Sequence, residues 1–588
     1  MHMATARIAL LAAASAKLVD AFSSVPKPTQ KNGFVLLGAN GDNVIRQNGV
    51  LHGLYEAWCG GIFGADTMEI YPISSHPEEE LRELYADTLG QVQGKLDIVG
   101  DWECNADGGV CTPDAFINEL KFNSVGAKKP DGSRKSALEQ AQELAPDLEP
   151  YASIIEFMSI PPYAYGEWAE ATANEWDKPS GSRRSRRLQK AGGRLHLLLE
   201  KPFGTSKDDA HELHDAIAAA GIDSDHEHMI DHWLNFFMIK NLPAFRPSVE
   251  AALGVRFSSA RFSKIVITQY EERGLEGRGG FFDGVGQVRD MIQSHLLQTL
   301  ALLLITPADA TVESISTAKS HVVDGLMDGG MTCSFGQYDG FLLEEYLTYH
   351  AEFADSTLVS CNLTAKSNNM NGVEIVIRTG KMLGEFLYSI DMYQKGGPGV
   401  LTYDIGKESL NLGDVKVRGW DLADGNKFTV PAPGFKGGQV VEMTPNVVSG
   451  HGAILNYSDP NMYFPTPYAM MVQATLDEKY DLAFATWKTV EKEWALVEDG
   501  GASKNLDPAP DRVRVYGAPD TCGNHPPDVC YTGKTVQDVY EDDFECTAEH
   551  DMELEEVDLY QAKCHAEEFQ RRVEAGTLPL SWRFANRN

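Results

Sequence analysis

The sequence predicts two domains of different class: an N-terminal α/β domain, followed by a larger α+β domain with a big, mostly antiparallel sheet and helices on one face. Early in the chain, short and almost wholly apolar strands alternate with helices, which is typical of buried parallel strands. Between residues 253 and 380, several longer strands surround one apolar helix. We place the first domain at residues 33–227 and the second at residues 228–500.

Composition restricts the possible partners. The 588 residues carry a formal net charge of −34, while the hydrophobic content of 43% is ordinary for a globular protein. So large a negative charge argues against nucleic acid or an anionic membrane as a partner. A site for an anionic ligand must therefore supply local positive charge. Beyond the N-terminus, no stretch is long and apolar enough to predict a membrane span.

The first residues, MHMATARIALLAAASAKLVDAF, predict a signal peptide at residues 1–21. One arginine precedes a short apolar run, and small residues follow it, so that cleavage after Ala16 or Ala21 is expected. This predicts the lumen of the secretory pathway (the ER) or secretion. Phe22 directly after Ala21 also resembles the signal junction of algae with complex plastids, which makes a plastid the second choice.

Cysteine usage fits an oxidising compartment. The nine cysteines include three close pairs that are candidate disulfides: Cys104 with Cys111, Cys522 with Cys530, and Cys546 with Cys564. The last two pairs lie in an acidic stretch at residues 501–588. We interpret this stretch as a small appendage held by disulfides or as a partly disordered tail. The basic, Gly- and Ser-rich run at residues 178–194 predicts an exposed insertion, with attraction of anionic ligands as the alternative.

The first predicted strand ends in a glycine turn. It reads FVLLGANGD, places Gly38 and Gly41 before Asp42, and leads into an amphipathic helix that contains Arg46. Strand, glycine turn and helix together predict a Rossmann-type dinucleotide-binding unit, with the pyrophosphate at the helix N-terminus.

Two further apolar strands end in polar or proline residues. IIEFMSIPP ends at Pro161-Pro162, and RLHLLLEKPFG places Lys201 and Pro202 after the strand. Ligands of parallel sheets lie beyond the carboxyl ends of the strands, so a site is expected there. The Lys201–Pro202 peptide bond is a candidate for the cis form.

A buried helix is predicted from Val288 to Ile305, after a glycine-rich stretch, EGRGGFFDGVG. Asp290 and His295 lie in its first half, and buried charged groups require partners or a function. A core histidine bonded to a neighbouring backbone carbonyl is the alternative for His295.

A histidine cluster precedes the second domain in the stretch SDHEHMIDHWLNFF. His226, His228 and His232 are separated by even numbers of residues, so on a strand they would share one face and could bind a metal for hydrolysis. We consider this hypothesis remote and predict no metal site.

Three motifs in this order, E-K-P-F-G, I-D-H-W-L and E-G-R-G-G-F-F-D…R-D-x-x-Q-S-H-L-L-Q, resemble the glucose-6-phosphate dehydrogenase family. The resemblance covers about residues 33–494. It implies oxidation of C1 of a hexose 6-phosphate to the lactone, with hydride transfer to NADP or NAD, as the first step of the oxidative pentose-phosphate route. It also implies a homodimer formed through the large sheet.

The resemblance implies roles for individual residues. His295 is the candidate base and Asp231 its orienting carboxylate, while Lys201 contacts the substrate. The residues implied in substrate binding are His232, Trp233, Glu271, Asp290 and Lys381. The residues implied in cofactor binding are Gly38, Asn40, Gly41, Asp42, Arg46, Pro161, Lys201 and Pro202.

Several positions depart from the family pattern. Gln47 and Phe236 replace lysines, Trp233 replaces a tyrosine, Ser74 replaces the arginine of NADP-using members, and Phe386 replaces a basic residue of some members. We therefore expect weaker binding of a sugar phosphate and a less strict preference for NADP. A family member that has lost catalysis and acts as a lumenal binding or scaffold protein is one alternative. A dehydrogenase for an unphosphorylated sugar is the other.

Overall fold

The structure is a computed structural model of the chain. It describes residues 31–46, 49–99, 111–122, 135–148, 153–176, 195–240, 256–275, 285–305, 315–327, 330–339, 356–366, 370–383, 386–406, 415–418, 428–432, 439–448, 452–457, 466–477, 483–499, 512–516 and 531–535, with a few single residues between these ranges.

The first domain is built on a parallel sheet of five strands in the order β2-β1-β3-β4-β5. Its strands are short and nearly all of their residues are buried, which explains their apolar sequences. They are β1 (Asn32–Leu37), β2 (Met68–Ile73), β3 (Ser153–Met158), β4 (Leu195–Glu200) and β5 (Glu227–Ile230).

Helices cover this sheet between the strands. They are α1 (Asp42–Ile45), α2 (Val50–Cys59), α3 (Glu78–Val99), α4 (Pro113–Glu119), α5 (Ala137–Leu148), α6 (Tyr165–Trp176) and α7 (Lys207–Ala219). Gly38 directly follows β1 and Lys201 directly follows β4, and one strand, β3, lies between those two. The prediction that both residues belong to the same domain, at the carboxyl edge of one sheet, is confirmed.

The second domain contains a mixed sheet of twelve strands in the order β13-β14-β15-β12-β11-β10-β6-β9-β8-β7-β16-β17. Only β6 with β9 and β7 with β16 run parallel, so the predicted, mostly antiparallel sheet is confirmed. Its strands are β6 (Phe262–Tyr270), β7 (Thr332–Tyr338), β8 (Leu358–Thr364), β9 (Glu374–Gly380), β10 (Leu387–Gln394), β11 (Val400–Asp404), β12 (Val415–Arg418), β13 (Phe428–Ala432), β14 (Gln439–Val448), β15 (Gly452–Tyr457), β16 (Val513–Tyr516) and β17 (Tyr531–Thr535).

The helix predicted from Val288 begins there as a π-helix, Val288–Leu296, and continues as α9 (Leu297–Leu304). Every residue of α9 is buried, as its sequence predicts. The other helices of this part of the chain are α8 (Phe237–Lys240), α10 (Ile315–Met327), α11 (Pro467–Leu476) and α12 (Trp487–Glu498).

The structure corrects the predicted limits of the domains. The first sheet ends at Ile230, so the boundary at residue 227 falls inside β5. Helices α11 and α12 return to the first domain, because Tyr468, Trp487 and Trp494 belong to its two hydrophobic cores. The stretch at residues 501–588 is not wholly a separate tail, since β16 pairs with β7 and β17 with β16.

Two disulfides lie among the described residues. Cys111 is bonded to Cys59, not to Cys104 as predicted, because α2 and α4 pack in one core and bring these cysteines to a Cα–Cα distance of 5.6 Å. Cys333 and Cys361 bond across the paired strands β7 and β8. The predicted tail pairs, the signal peptide and the basic run lie outside the described residues. Within the described residues, no helix is both long and apolar enough to cross a membrane.

Candidate active site

The glycine turn after β1 is tightly held against the end of β3. Gly38 has a φ of +67°, and a Cβ atom there would lie 2.0 Å from the Ser159 carbonyl oxygen. Glycine is therefore required for both the conformation and the close approach. Asn40 Oδ1 accepts a hydrogen bond of 2.8 Å from Ser74 Oγ, and the Gly41 N–H donates to the Gly38 carbonyl at 2.7 Å. This turn places Gly38, Asn40 and Gly41 at the edge where a dinucleotide binds such sheets.

The ends of β3 and β4 lie beside this turn. The Lys201–Pro202 peptide bond is cis, as expected from the sequence. The Lys201 ammonium donates to Asp290 Oδ1 and to the Asp290 carbonyl oxygen, both at 3.1 Å. This contact joins β4 of the first domain to the π-helix of the second, so the candidate site lies at the junction of the two domains.

Asp231 and His295 form a buried contact across the same junction. Asp231 follows β5 and accepts a hydrogen bond from the Trp233 N–H at 3.0 Å. Its Oδ1 lies 2.5 Å from His295 Nδ1, and both residues are buried. The predicted contact is confirmed, and the alternative, a core histidine bonded only to backbone, does not describe His295. Because a carboxylate only accepts hydrogen bonds, Nδ1 donates, which leaves Nε2 as the acceptor.

Burial controls the protonation of His295. Removal from water, the largest cause, lowers the pKa of His295, the Asp231 carboxylate opposes this, and the Lys201 ammonium lowers the pKa further. The imidazole is therefore neutral near pH 7 and able to accept a proton at Nε2, as a general base must.

Two lysines and two carboxylates complete the polar site. The Lys381 ammonium lies 3.1 Å from Glu271 Oε1 and 3.4 Å from Asp290 Oδ2. Burial alone would raise the pKa of Asp290, but Lys201 and Lys381 outweigh it and hold that pKa well below its usual range. The four side chains, from four separate elements of the fold, thus form one network of alternating charge.

Comparison with known proteins decides the family. A family model for the NAD binding domain of glucose-6-phosphate dehydrogenase matches residues 35–241, and the model for its C-terminal domain matches residues 253–504. Together they match well over half of the chain. This chain belongs to the glucose-6-phosphate dehydrogenase family. Its enzymes are oxidoreductases that act on CH–OH donors.

Individual relatives support this assignment. The glucose-6-phosphate 1-dehydrogenase of Streptococcus pneumoniae is 26% identical over 398 residues, which are 63% of this chain and 74% of the relative. That of Leuconostoc mesenteroides is 26% identical over 427 residues, 68% of this chain and 79% of the relative. A solved structure described as glucose-6-phosphate dehydrogenase in complex with its substrate glucose-6-phosphate shares the fold, with a TM-score of 0.62 over 84% of this chain and 96% of that chain, at 20% identity.

Aromatic rings surround the pair in this member of the glucose-6-phosphate dehydrogenase family. Trp233 stacks on His295 with ring centroids 4.5 Å apart and planes 5° from parallel, and Phe236 stacks on Trp233 at 5.6 Å. Trp233 and Phe236 form an apolar wall beside the pair. Phe236 is buried and uncharged, at a position where the family pattern has a lysine. Phe386 packs against the hydrophobic core of the second domain, as Trp233 does. Ser74 is buried and bonded to Asn40, and Gln47 lies outside the described residues.

Tyr468 is a site residue that sequence reasoning missed. Its ring stacks on His232 at 5.7 Å, and its hydroxyl donates to Glu200 Oε1 at 2.9 Å. The pKa of His232 is lowered, first by burial and then by the charge of Arg46. Tyr468 is the second residue of α11, more than 230 residues after His232, and no motif connects the two in sequence.

His226, His228 and His232, the remote alternative for a metal site, do not share one face of a strand. His226 precedes β5 and His232 follows it in a 3₁₀ turn, so only His228 of the three lies on the strand. His228 and His226 lie instead beside His196, with His196 Nδ1 3.2 Å from His228 Nε2. Among the described residues, no group of three His, Cys, Asp or Glu side chains has the arrangement of a metal site.

Proposed function

We propose that this chain oxidises C1 of glucose 6-phosphate to the lactone, with hydride transfer to NADP. The observation that supports this most directly is the buried Asp231–His295 pair at 2.5 Å, adjacent to Lys201 and Asp290 at the domain junction. An intact base and its orienting carboxylate argue against the alternative of an inactive binding or scaffold protein.

In the proposed reaction, His295 Nε2 takes the proton of the C1 hydroxyl, the C1–H bond breaks as hydride leaves, and the C1–O bond becomes a carbonyl. Asp231 holds the tautomer and stabilises the imidazolium that forms. NADP, when bound, supplies the acceptor for the hydride. The backbone-lined turn at Gly38 fits a pyrophosphate, because no Cβ fills it. Residues that would hold the cofactor are Gly38, Asn40, Gly41, Asp42, Arg46, Pro161, Lys201 and Pro202.

The sugar phosphate would be held at the polar network of Lys201, Glu271, Asp290 and Lys381. Glu271 and Asp290 offer carboxylate oxygens for sugar hydroxyls, and Lys201 contacts the substrate. His232 and Lys381 remain for the phosphate, and His232 lies beside the apolar wall of Trp233 and Phe236.

The test follows reduced-cofactor absorbance with glucose 6-phosphate, glucose and galactose 6-phosphate, each with NADP and with NAD. Turnover of glucose 6-phosphate with NADP is expected. The variant H295N should lose about 10²–10⁴-fold in kcat while binding the cofactor normally. H321N, which changes an exposed histidine, is the matched control. No turnover with any sugar would reject the proposal, and turnover of glucose alone would favour the unphosphorylated substrate.

We further propose that the protein resides in the secretory lumen or is secreted, with a plastid as second choice. The two disulfides, Cys59–Cys111 and Cys333–Cys361, support an oxidising compartment. N-terminal sequencing of the mature protein should begin about 16–21 residues after Met1, by the usual logic of signal peptides. A mature chain beginning at Met1 would contradict this.

A homodimer through the large sheet is also proposed, since twelve strands present a broad surface for a second copy. Light scattering coupled to gel filtration should give a mass of about twice the chain at micromolar concentration. A monomeric mass throughout the concentration series would reject the dimer.

A further inference from the structure

Behind the Asp231–His295 pair lies a second group of buried polar side chains that the proposed reaction does not use. It consists of Gln298, Lys319 and Glu493, each exposed by 1% or less. Gln298 follows His295 by three residues, Lys319 lies on α10 and Glu493 on α12. We refer to these three residues as the rear cluster.

Backbone contacts bring the rear cluster to the back of Asp231. Residues 483–485 run beside β5 and the turn that follows it: Met229 pairs with Ala485, and Asn235 Nδ2 donates to the Ala483 carbonyl at 2.8 Å. The Lys319 ammonium lies 3.0 Å from Gln298 Oε1 and 3.4 Å from the Phe484 carbonyl oxygen. The segment that leads into α12 is thereby fixed to the elements that carry both members of the pair.

Both the pair and the rear cluster contain buried polar atoms that lack a well-formed hydrogen bond. Among the described residues, Asp231 Oδ2, Gln298 Nε2 and Glu493 Oε1 are buried without a hydrogen bond of good geometry, although Gln298 lies close enough to Glu493 to lower the pKa of that carboxyl. Buried polar atoms are rarely left so, because each costs about 1–3 kcal/mol. Helix α12, which carries Glu493, packs against both the π-helix and α10. The Asp231 carboxylate accordingly contributes to raising the pKa of Glu493.

We propose that Glu493 is a positioning residue for the Asp231–His295 pair. Glu493 acts on the pair through its packing with Gln298 and Lys319. This rests on the proposed function. Burial, the largest cause, raises the pKa of Glu493 well above its usual range, although Lys319 and Gln298 oppose it. Burial thus favours the protonated form of Glu493, which is able to donate a hydrogen bond.

The experiment compares E493L, which removes the polar group, with E493Q, which keeps its shape and a hydrogen-bond donor. E493L should lower kcat by about tenfold or more with little change in KM for glucose 6-phosphate, since a misplaced base slows the chemical step. E493Q should recover most of that kcat and leave the acid limb of the kcat/KM–pH profile in place. E491Q, on the same helix but at the surface, is the control.

A second readout does not depend on turnover. The Nδ1 proton shared by His295 and Asp231 should give a far-downfield proton NMR resonance, assigned by its loss in H295N. It should persist in E493Q and shift or disappear in folded E493L.

Each outcome decides between the hypotheses. A wild type without turnover rejects the proposed function, while the NMR signal still tests the positioning role. Unchanged kcat and resonance in E493L overturn that role. A shift of the E493Q acid limb to lower pH would show that Glu493 is ionised in the native protein and would also overturn it.

Discussion

Asp231 and His295 come from different domains, yet each is fixed by its own local structure. Asp231 caps the 3₁₀ turn that follows β5, and His295 lies in the π-helix at Val288–Leu296. Two rigid elements thus bring a carboxylate and an imidazole together without a flexible loop. Such preorganisation is what a base needs in order to act in the transition state.

The variant D231N should reduce kcat by about 10²–10⁴-fold, because an amide neither fixes the Nδ1–H tautomer nor stabilises the imidazolium. The Asp231 charge raises the pKa of His295, so its loss should also move the acid limb of kcat/KM to lower pH. Steady-state kinetics across pH provide the measurement, with D225N, an exposed position nearby, as control. Full activity in D231N would remove the pair from the mechanism.

The variant F236K should tighten binding of glucose 6-phosphate by about 1.5–3 kcal/mol, the contribution of one charge-assisted hydrogen bond. Phe236 lies edge-on to His232 at 6.2 Å, next to the expected phosphate position. The effect should appear in KM for the phosphorylated sugar and not for free glucose. F236M introduces an unbranched side chain like that of lysine but without its charge, and it is the control. If KM for the phosphosugar stays unchanged while H295N still abolishes turnover, the assigned phosphate pocket is wrong.

At the scale of elements, β3 carries an ionisable group inside the first sheet. Glu156 is completely buried and lies in register between Val35 of β1 and Leu197 of β4. Burial, opposed by Thr172, raises the pKa of Glu156 from 4.5 to about 8. The folded state therefore holds a proton that the unfolded chain releases.

The variant E156Q should stabilise the protein at alkaline pH. Below about pH 4.5, Glu156 of the wild type is protonated in both the folded and the unfolded state. As the pH rises from 4.5 towards 8, the unfolded chain releases this proton and the wild type loses stability. Glutamine does not ionise, so E156Q should exceed wild type in free energy of unfolding by about 2–4 kcal/mol at pH 8 and by little at pH 4.5. Urea unfolding at both pH values measures this, with the surface variant E170Q as control. Equal gaps at the two pH values would contradict it.

At the scale of the whole molecule, the C-terminal stretch supports the site from a distance. Tyr516 of β16 is buried, and its hydroxyl donates to the Lys381 carbonyl oxygen at 2.6 Å and contacts Thr357 Oγ1 at 2.9 Å. Lys381 is the lysine that contacts Glu271 and Asp290. The edge of the large sheet thus holds a residue of the candidate active site.

A chain ending at residue 504 should lose stability and raise KM for glucose 6-phosphate. Removing the buried side chains of Val513, Val515 and Tyr516 should cost about 4 kcal/mol or more, at about 1.5–3 kcal/mol for each. A chain ending at residue 540 keeps β16 and β17 and serves as control. In the full chain, Y516F should cost about 0.5–1.5 kcal/mol, the net contribution of one hydrogen bond. A chain ending at 504 that unfolds at the same temperature as the full chain would contradict this.

The sequence by itself determined the family, three buried strands of the first domain (β1, β3 and β4) and the apolar helix that carries His295. These depend on local patterns: apolar runs bounded by turns, glycines before Asp42, and three short motifs in order. The Asp231–His295 pairing also came from the motifs, because the resemblance assigned both residues to one site. Hydrophobic burial and backbone sterics act over neighbouring residues, so they can be read along the chain.

Other contacts between distant residues were decided only by the tertiary structure. Cys111 bonds to Cys59, Tyr468 stacks on His232, and the helix of Glu493 packs against the π-helix of His295, all across separations of more than fifty residues. The same holds for β16, whose acidic surroundings in sequence gave no sign that it extends the large sheet. Such contacts depend on how whole helices and strands pack, and packing selects partners by shape and position rather than by spacing in the sequence.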